Sequence, residues 1–219
     1  MDLQQQARSL MELYDLDVAR TLTACPSSLV LLAITTMYFV PVLTLVLGFD
    51  VIAEDISRRG DRLPLLRTSR SSLLLGKSLA LWGACLTFIF AAYALACVSV
   101  IARGGNGTTS HILSWGLGLY VVAALVSVVY VAIWSAVGAV VGSPKSALLA
   151  GLGLVVVLGG AHLVLHRAAS RLAGLLPGGL EGLWLSGHAS IMGTALVATA
   201  AWCGAGLSAA ALVFARRDL

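Results

Sequence analysis

Charge is scarce in this chain: only 11% of its 219 residues are Asp, Glu, Lys or Arg, against about 25% in soluble domains. The hydrophobic 59% falls in long runs, and mean hydropathy is +0.95, which rules out a water-soluble core. Short segments of alternating polarity are also missing, so a membrane barrel is excluded. The four cysteines form no CxxC pair and no paired framework. Cys85, Cys97 and Cys203 lie within apolar runs and Cys25 stands before one, beside Pro26, so they read as small core residues. The opening stretch carries Asp2, Glu12, Asp15 and Asp17, too acidic and polar for a secretory signal. A GxxxxGK[ST] loop is absent as well, so the chain has no P-loop of its own. Gly76-Lys77 lacks the preceding glycine, and Lys77 reads as a snorkelling residue at the start of a span.

What is there is a polytopic helical membrane protein. Crossing about 30 Å of hydrocarbon takes roughly 20 apolar residues. Five runs qualify: Ser28 to Gly48 (with Pro41 as a possible kink), Leu73 to Ile101, Ile112 to Val141, Ala147 to Leu165 and Ile191 to Phe214. Residues 1–27 form a polar amino-terminal segment. In it Leu3, Leu10, Leu13 and Leu16 share a helical face, which predicts an interfacial amphipathic helix. Residues 28–219 form the membrane domain. Within it, 166–190 mixes Leu172, Leu175, Leu176, Leu180, Leu183 and Trp184 with the Pro177-Gly178-Gly179 turn, predicting short helices in the outer interface. Gly151, Gly153, Gly159, Gly160, Gly204 and Gly206 allow helices to approach closely, in a medium where apolar residues gain no water-driven force.

The net charge of +4 comes from basic residues clustered beside the spans, a pattern of topology and headgroup anchoring rather than of nucleic-acid binding. Arg58, Arg59, Arg62, Arg67, Arg70 and Lys77 supply six of the 14 basic residues, the five arginines between the first two runs and Lys77 at the start of the second. That loop is therefore expected in the cytoplasm, with the 103–111 loop and the 166–190 segment outside and Arg216-Arg217 inside.

The stretch 48–77 holds the densest chemistry. Asp50, Glu54 and Asp55 leave the first span, and Glu54 and Arg58 stand at i,i+4 spacing. After Gly60, Leu63, Leu65 and Leu66 give an apolar side among Arg62, Arg67 and Arg70. A helix over about 54–72 would present an apolar and charged knob to a soluble partner, or serve only as an interfacial loop that fixes topology.

The run Gly48-Phe49-Asp50, Ile52-Ala53-Glu54, Gly60, Leu63, Leu65-Leu66, Ser69-Arg70, Leu74 and Gly76-Lys77 resembles the permease subunit of type-2 ATP-binding-cassette exporters. The ending Phe214-Ala215-Arg216-Arg217-Asp218-Leu219 is similar too. The chain differs in having Gly60-Asp61-Arg62-Leu63 where the family commonly has Gly-Thr-Leu, and five spans where the family has six. The resemblance implies an all-α permease without catalysis of its own, in the cell's inner membrane. ATP and Mg would be bound by separate cytoplasmic ATPase subunits. A second permease chain, identical or different, would complete the path. Asp50, Glu54, Asp55, Arg58, Gly60, Leu63, Leu65, Leu66 and Arg70 would form the helix that couples the spans to the ATPase.

Other readings are weaker. His111, His162, His166 and His188 all fall on the outer side, and His162 and His166 are spaced i,i+4 as metal ligands are, but no His-Glu-x-x-His pattern exists. Ser186-Gly187-His188 resembles the core of membrane lipid phosphatases, yet that chemistry needs a second histidine downstream and there is none. An integral scaffold without transport is the remaining alternative.

Overall fold

The computed structural model describes residues 25–48, 53, 70–104, 108–141, 143–186 and 189–216. The expected amphipathic helix at 2–20 and most of the 48–77 stretch lie outside the described residues. Within them the chain is helical, with no strand among the described residues. This all-helical, multi-pass architecture has a direct cause: in hydrocarbon a backbone must satisfy its own N–H and C=O groups, and a helix does so within one segment.

Among the described residues, five helices are long and apolar enough to cross a membrane. They are α1 (Ser27–Gly48), α2 (Arg70–Ala102), α3 (Thr109–Val141), α4 (Pro144–Ala168) and α7 (Ala189–Arg216). Each matches an apolar run of the sequence to within a few residues. α1 runs as one helix through Pro41, although proline removes the hydrogen bond to the carbonyl four residues earlier. At 33 residues each, α2 and α3 are about 50 Å long, well over the hydrocarbon thickness.

The connections from α2 to α3 and from α3 to α4 are short and chemically marked. α2 ends at Gly104, whose φ of 65° is a left-handed stop. Ser143 caps α4 by accepting from the Ser146 N–H, with Pro144 in the first turn. Between α4 and α7 lie α5 (Ser170–Ala173), a 3-10 turn at Pro177–Gly179, and α6 (Leu180–Leu185).

α3 is the hub. It packs on α1, α2, α4, α6 and α7 and buries residues around its whole circumference, among them Ala123, Val126, Val129, Tyr130 and Trp134. α4 by contrast leaves Leu149, Val156, Val157, Leu163 and Val164 open. In lipid such exposure is no penalty, because acyl chains are as apolar as leucine.

The segment 166–190 holds short helices, and they fold back along the spans. Trp202 Nε1 donates to the Leu175 carbonyl (2.9 Å) and Trp184 Nε1 to the Thr199 hydroxyl (3.3 Å). Trp202 lies about 20 Å along α7 from its first residue. Leu180, Leu185, Ala173 and Pro177 are buried beneath this segment. Gly179 is required there, because a Cβ would run into the Ala173 backbone.

Candidate functional site

Of the helix ends that flank the 48–77 stretch, that of α1 packs on α2 about three turns inside it, and the start of α2 packs on α3 and α7. α1 finishes at Gly48, and a Cβ at that position would collide with the Leu81 side chain of α2. Leu81 joins Cys85 and Val131 in a small buried cluster edged by Leu47 and Trp82. A second cluster, Leu74 with Ala139 and Ala210, ties the start of α2 to α3 and α7. The loop's two anchors are thus packed onto the hub rather than hanging free.

Polar side chains inside these contacts are paired across helices. Ser78 and Ser135 hydroxyls lie 2.9 Å apart. Trp82 Nε1 donates to the Ser127 hydroxyl at 3.1 Å and approaches the Ala124 carbonyl at 3.3 Å. Trp134 Nε1 donates to the Thr44 hydroxyl at 2.9 Å and to the Pro41 carbonyl at 3.2 Å. The Thr44 hydroxyl in turn donates back to the Val40 carbonyl at 2.7 Å. In hydrocarbon an unpaired polar group is costly, so these pairs hold α1, α2 and α3 in one register.

Between α1 and α2 a groove of about 200 Å³ is lined by Thr35, Thr36, Phe39, Val40, Leu43, Phe88, Ile89 and Ala92. Its walls are almost wholly apolar. The Tyr93 hydroxyl is buried nearby with no hydrogen-bond partner among the described residues.

Of the residues singled out in 48–77, Asp50, Glu54, Asp55, Arg58, Gly60, Leu63, Leu65 and Leu66 lie outside the described residues. Arg70 opens α2, and Ala53 is buried. The histidines singled out in the sequence are placed in part. His162 and His166 stack with ring centroids 5.9 Å apart, and His162 Nδ1 lies 3.3 Å from the Ala173 carbonyl. No group of three or more metal-ligating side chains gathers among the described residues. The Ser186 hydroxyl donates to the Leu183 carbonyl at 2.8 Å, closing the turn that ends α6, while Gly187 and His188 lie outside the described residues.

Sequence reading passed over one residue. Glu181 in α6 is buried between α3 and α7, although its helix belongs to a connecting segment. The signal was available: no other acidic residue occurs between Asp61 and Asp218.

Comparison with known proteins agrees with the packed permease architecture. Residues 2–181 match the family described as ABC-2 family transporter protein. No curated protein matches the chain. That family is one of membrane permeases whose ATP hydrolysis resides in a partner and which often act as dimers. With most of its length covered by the match and five helices able to cross a membrane, the chain belongs to the ABC-2 family of transporter proteins, as a multi-pass transmembrane permease.

Proposed function

We propose that this chain is the membrane half of an exporter in the cytoplasmic membrane, driven by separate ATP-binding-cassette ATPase subunits that dock on the 48–77 stretch. The observation that carries this reading is mechanical. The acidic and leucine-bearing stretch joins α1 directly to α2, and both helices are fastened to the hub α3 by Trp134–Thr44, Ser78–Ser135 and Trp82–Ser127. In this reading, force that the loop delivers to the end of α1 and the start of α2 passes through these contacts to α3. Leu63, Leu65 and Leu66 supply the apolar contact. Asp50, Glu54, Asp55, Arg58 and Arg70 supply oriented charge, and Gly60 lets the chain turn between the two.

ATP and Mg belong to the ATPase in this reading, and this chain contributes no nucleotide chemistry. A second permease chain covers the open apolar faces of α1 and α4 and completes the route for cargo, with lipid around the rest.

Copurification with a co-expressed ATPase tests the docking. Residues at the centre of an interface cost about 2 kcal/mol or more when lost, roughly thirtyfold in affinity. Changing Leu65 and Leu66 to Asp should abolish copurification, and Glu54→Ala should leave the ATPase bound while transport uncouples from hydrolysis. Undiminished copurification of the Leu65 and Leu66 variant would rule the docking site out.

A further inference from the structure

Glu181 is 7% exposed in the first turn of α6, a six-residue helix wedged against α3 and α7. The apolar cluster around it includes Leu180 and Leu185 from its own helix and Tyr130 and Trp134 from α3. The elements packed on α6 offer little that could hold a negative charge. From α3 the Tyr130 hydroxyl lies within electrostatic reach. Between Ile191 and Val213, α7 has Cys203 as its single ionisable group, and the Pro177–Gly179 turn has none. His162 on α4 is occupied with the Ala173 carbonyl. Among the described residues no basic side chain contacts the carboxyl.

An isolated carboxylate in such surroundings is far more costly than a neutral carboxyl. We propose that Glu181 is a proton-binding site: with the proton bound, α6 stays seated between α3 and α7, and loss of the proton unseats the segment 169–186.

The segment is seated by two indole hydrogen bonds, Trp202 to Leu175 and Trp184 to Thr199, by His162 of α4 against the Ala173 carbonyl, and by the apolar side chains of Leu180 and Leu185. Burial pushes the Glu181 carboxyl up to about 8 from an ordinary 4.5, against the weaker opposing effect of its own backbone N–H. Once the segment is released into water, the carboxyl returns to its ordinary range. The seated state thus holds its proton more tightly. Its advantage is full below about 4.5 and is lost as pH rises through about 8. Within that window each pH unit shifts the seating equilibrium by about tenfold. This inference does not depend on which ATPase or cargo the permease serves.

The test uses the full chain in lipid nanodiscs, with Leu185→Cys as reporter in a background where the four native cysteines are replaced. Labelling by a membrane-impermeant maleimide is timed at about pH 5 and about pH 9, with Glu181 and with Glu181→Gln. Glutamine stays neutral throughout, so the ratio of the two rates cancels the reporter thiol's own ionisation. That ratio should rise by about tenfold or more toward alkaline pH, and a flat ratio would overturn the proposal. Infrared titration of the unaltered chain gives an independent reading. The other nine acidic residues lie at or before Asp61, or at Asp218. A protonated carboxyl signal persisting to near pH 8 is expected, and its complete loss by about pH 6 would overturn the proposal whatever the variants do.

Discussion

The Trp134 indole and the Thr44 hydroxyl, 90 positions apart in sequence, meet at 2.9 Å across the contact between α1 and α3. The same indole reaches the carbonyl of Pro41. A proline inside a spanning helix disturbs the local backbone pattern, and neighbouring side chains commonly restore it. Here the Thr44 hydroxyl and the Trp134 indole bond to the carbonyls of Val40 and Pro41, not to that of Met37, the one proline leaves without its N–H partner. The node therefore fastens α1 to the hub beside its proline rather than repairing the helix.

Breaking that node should loosen α1 measurably. Cross-helix hydrogen bonds in membranes average about 0.6 kcal/mol and reach about 1.7 kcal/mol. Trp134→Phe and Thr44→Val should each destabilise the folded chain in mixed-micelle unfolding, and the double variant should cost less than the sum. Simple additivity would show that the two side chains are not coupled.

Gly206 and Gly204 should behave oppositely on substitution by alanine. A Cβ at Gly206 would stand 2.8 Å from the carbonyl carbon and oxygen of Ala132, whereas Gly204 faces open space. Backbone cannot yield as a flexible side chain does, so Gly206→Ala should force α7 off α3 and lower stability by about 1–3 kcal/mol. Gly204→Ala should instead stabilise, by up to about 1 kcal/mol, because alanine is the better helix former and meets nothing there. Thermal denaturation in detergent compares the pair directly, and equal effects would count against the close α3–α7 approach.

Orientation is open to labelling in sealed vesicles. The division of basic residues places the loop around Arg62 in the cytoplasm and residues 104–110 outside. Single cysteines at Gly105 and Gly60 should then react with an impermeant reagent from outside and from inside respectively. Protection of Gly105 from the outside reagent would reverse the orientation and remove the 48–77 stretch from reach of a cytoplasmic ATPase.

The five spans were legible from the sequence because lipid makes a simple demand. A segment that crosses must be apolar for about 20 residues and must satisfy its own backbone. Ser143-Pro144 before α4 marked a boundary for the same local reasons that govern any helix start. The order of Glu54, Gly60, Leu65-Leu66 and Arg70 along one continuous stretch carried the family resemblance, and the match over residues 2–181 agrees on the family.

Which faces meet was decided only in three dimensions. In water an amphipathic stripe shows a helix where its core lies, but these spans are apolar on every side, and lipid competes with protein on equal terms. Nothing along the chain distinguishes the crowded Gly206 from the open Gly204. Nothing links Ser78 to Ser135, or Trp134 to Thr44, until the helices are laid together. Glu181 makes the point most sharply. Its place between two spans suited it to a solvent-facing loop, yet the folding back of α6 against α3 and α7 buries it. Sequence hydropathy reports how a segment partitions between water and lipid. Burial of a single carboxyl depends on which neighbours close over it, and only the packed bundle sets that.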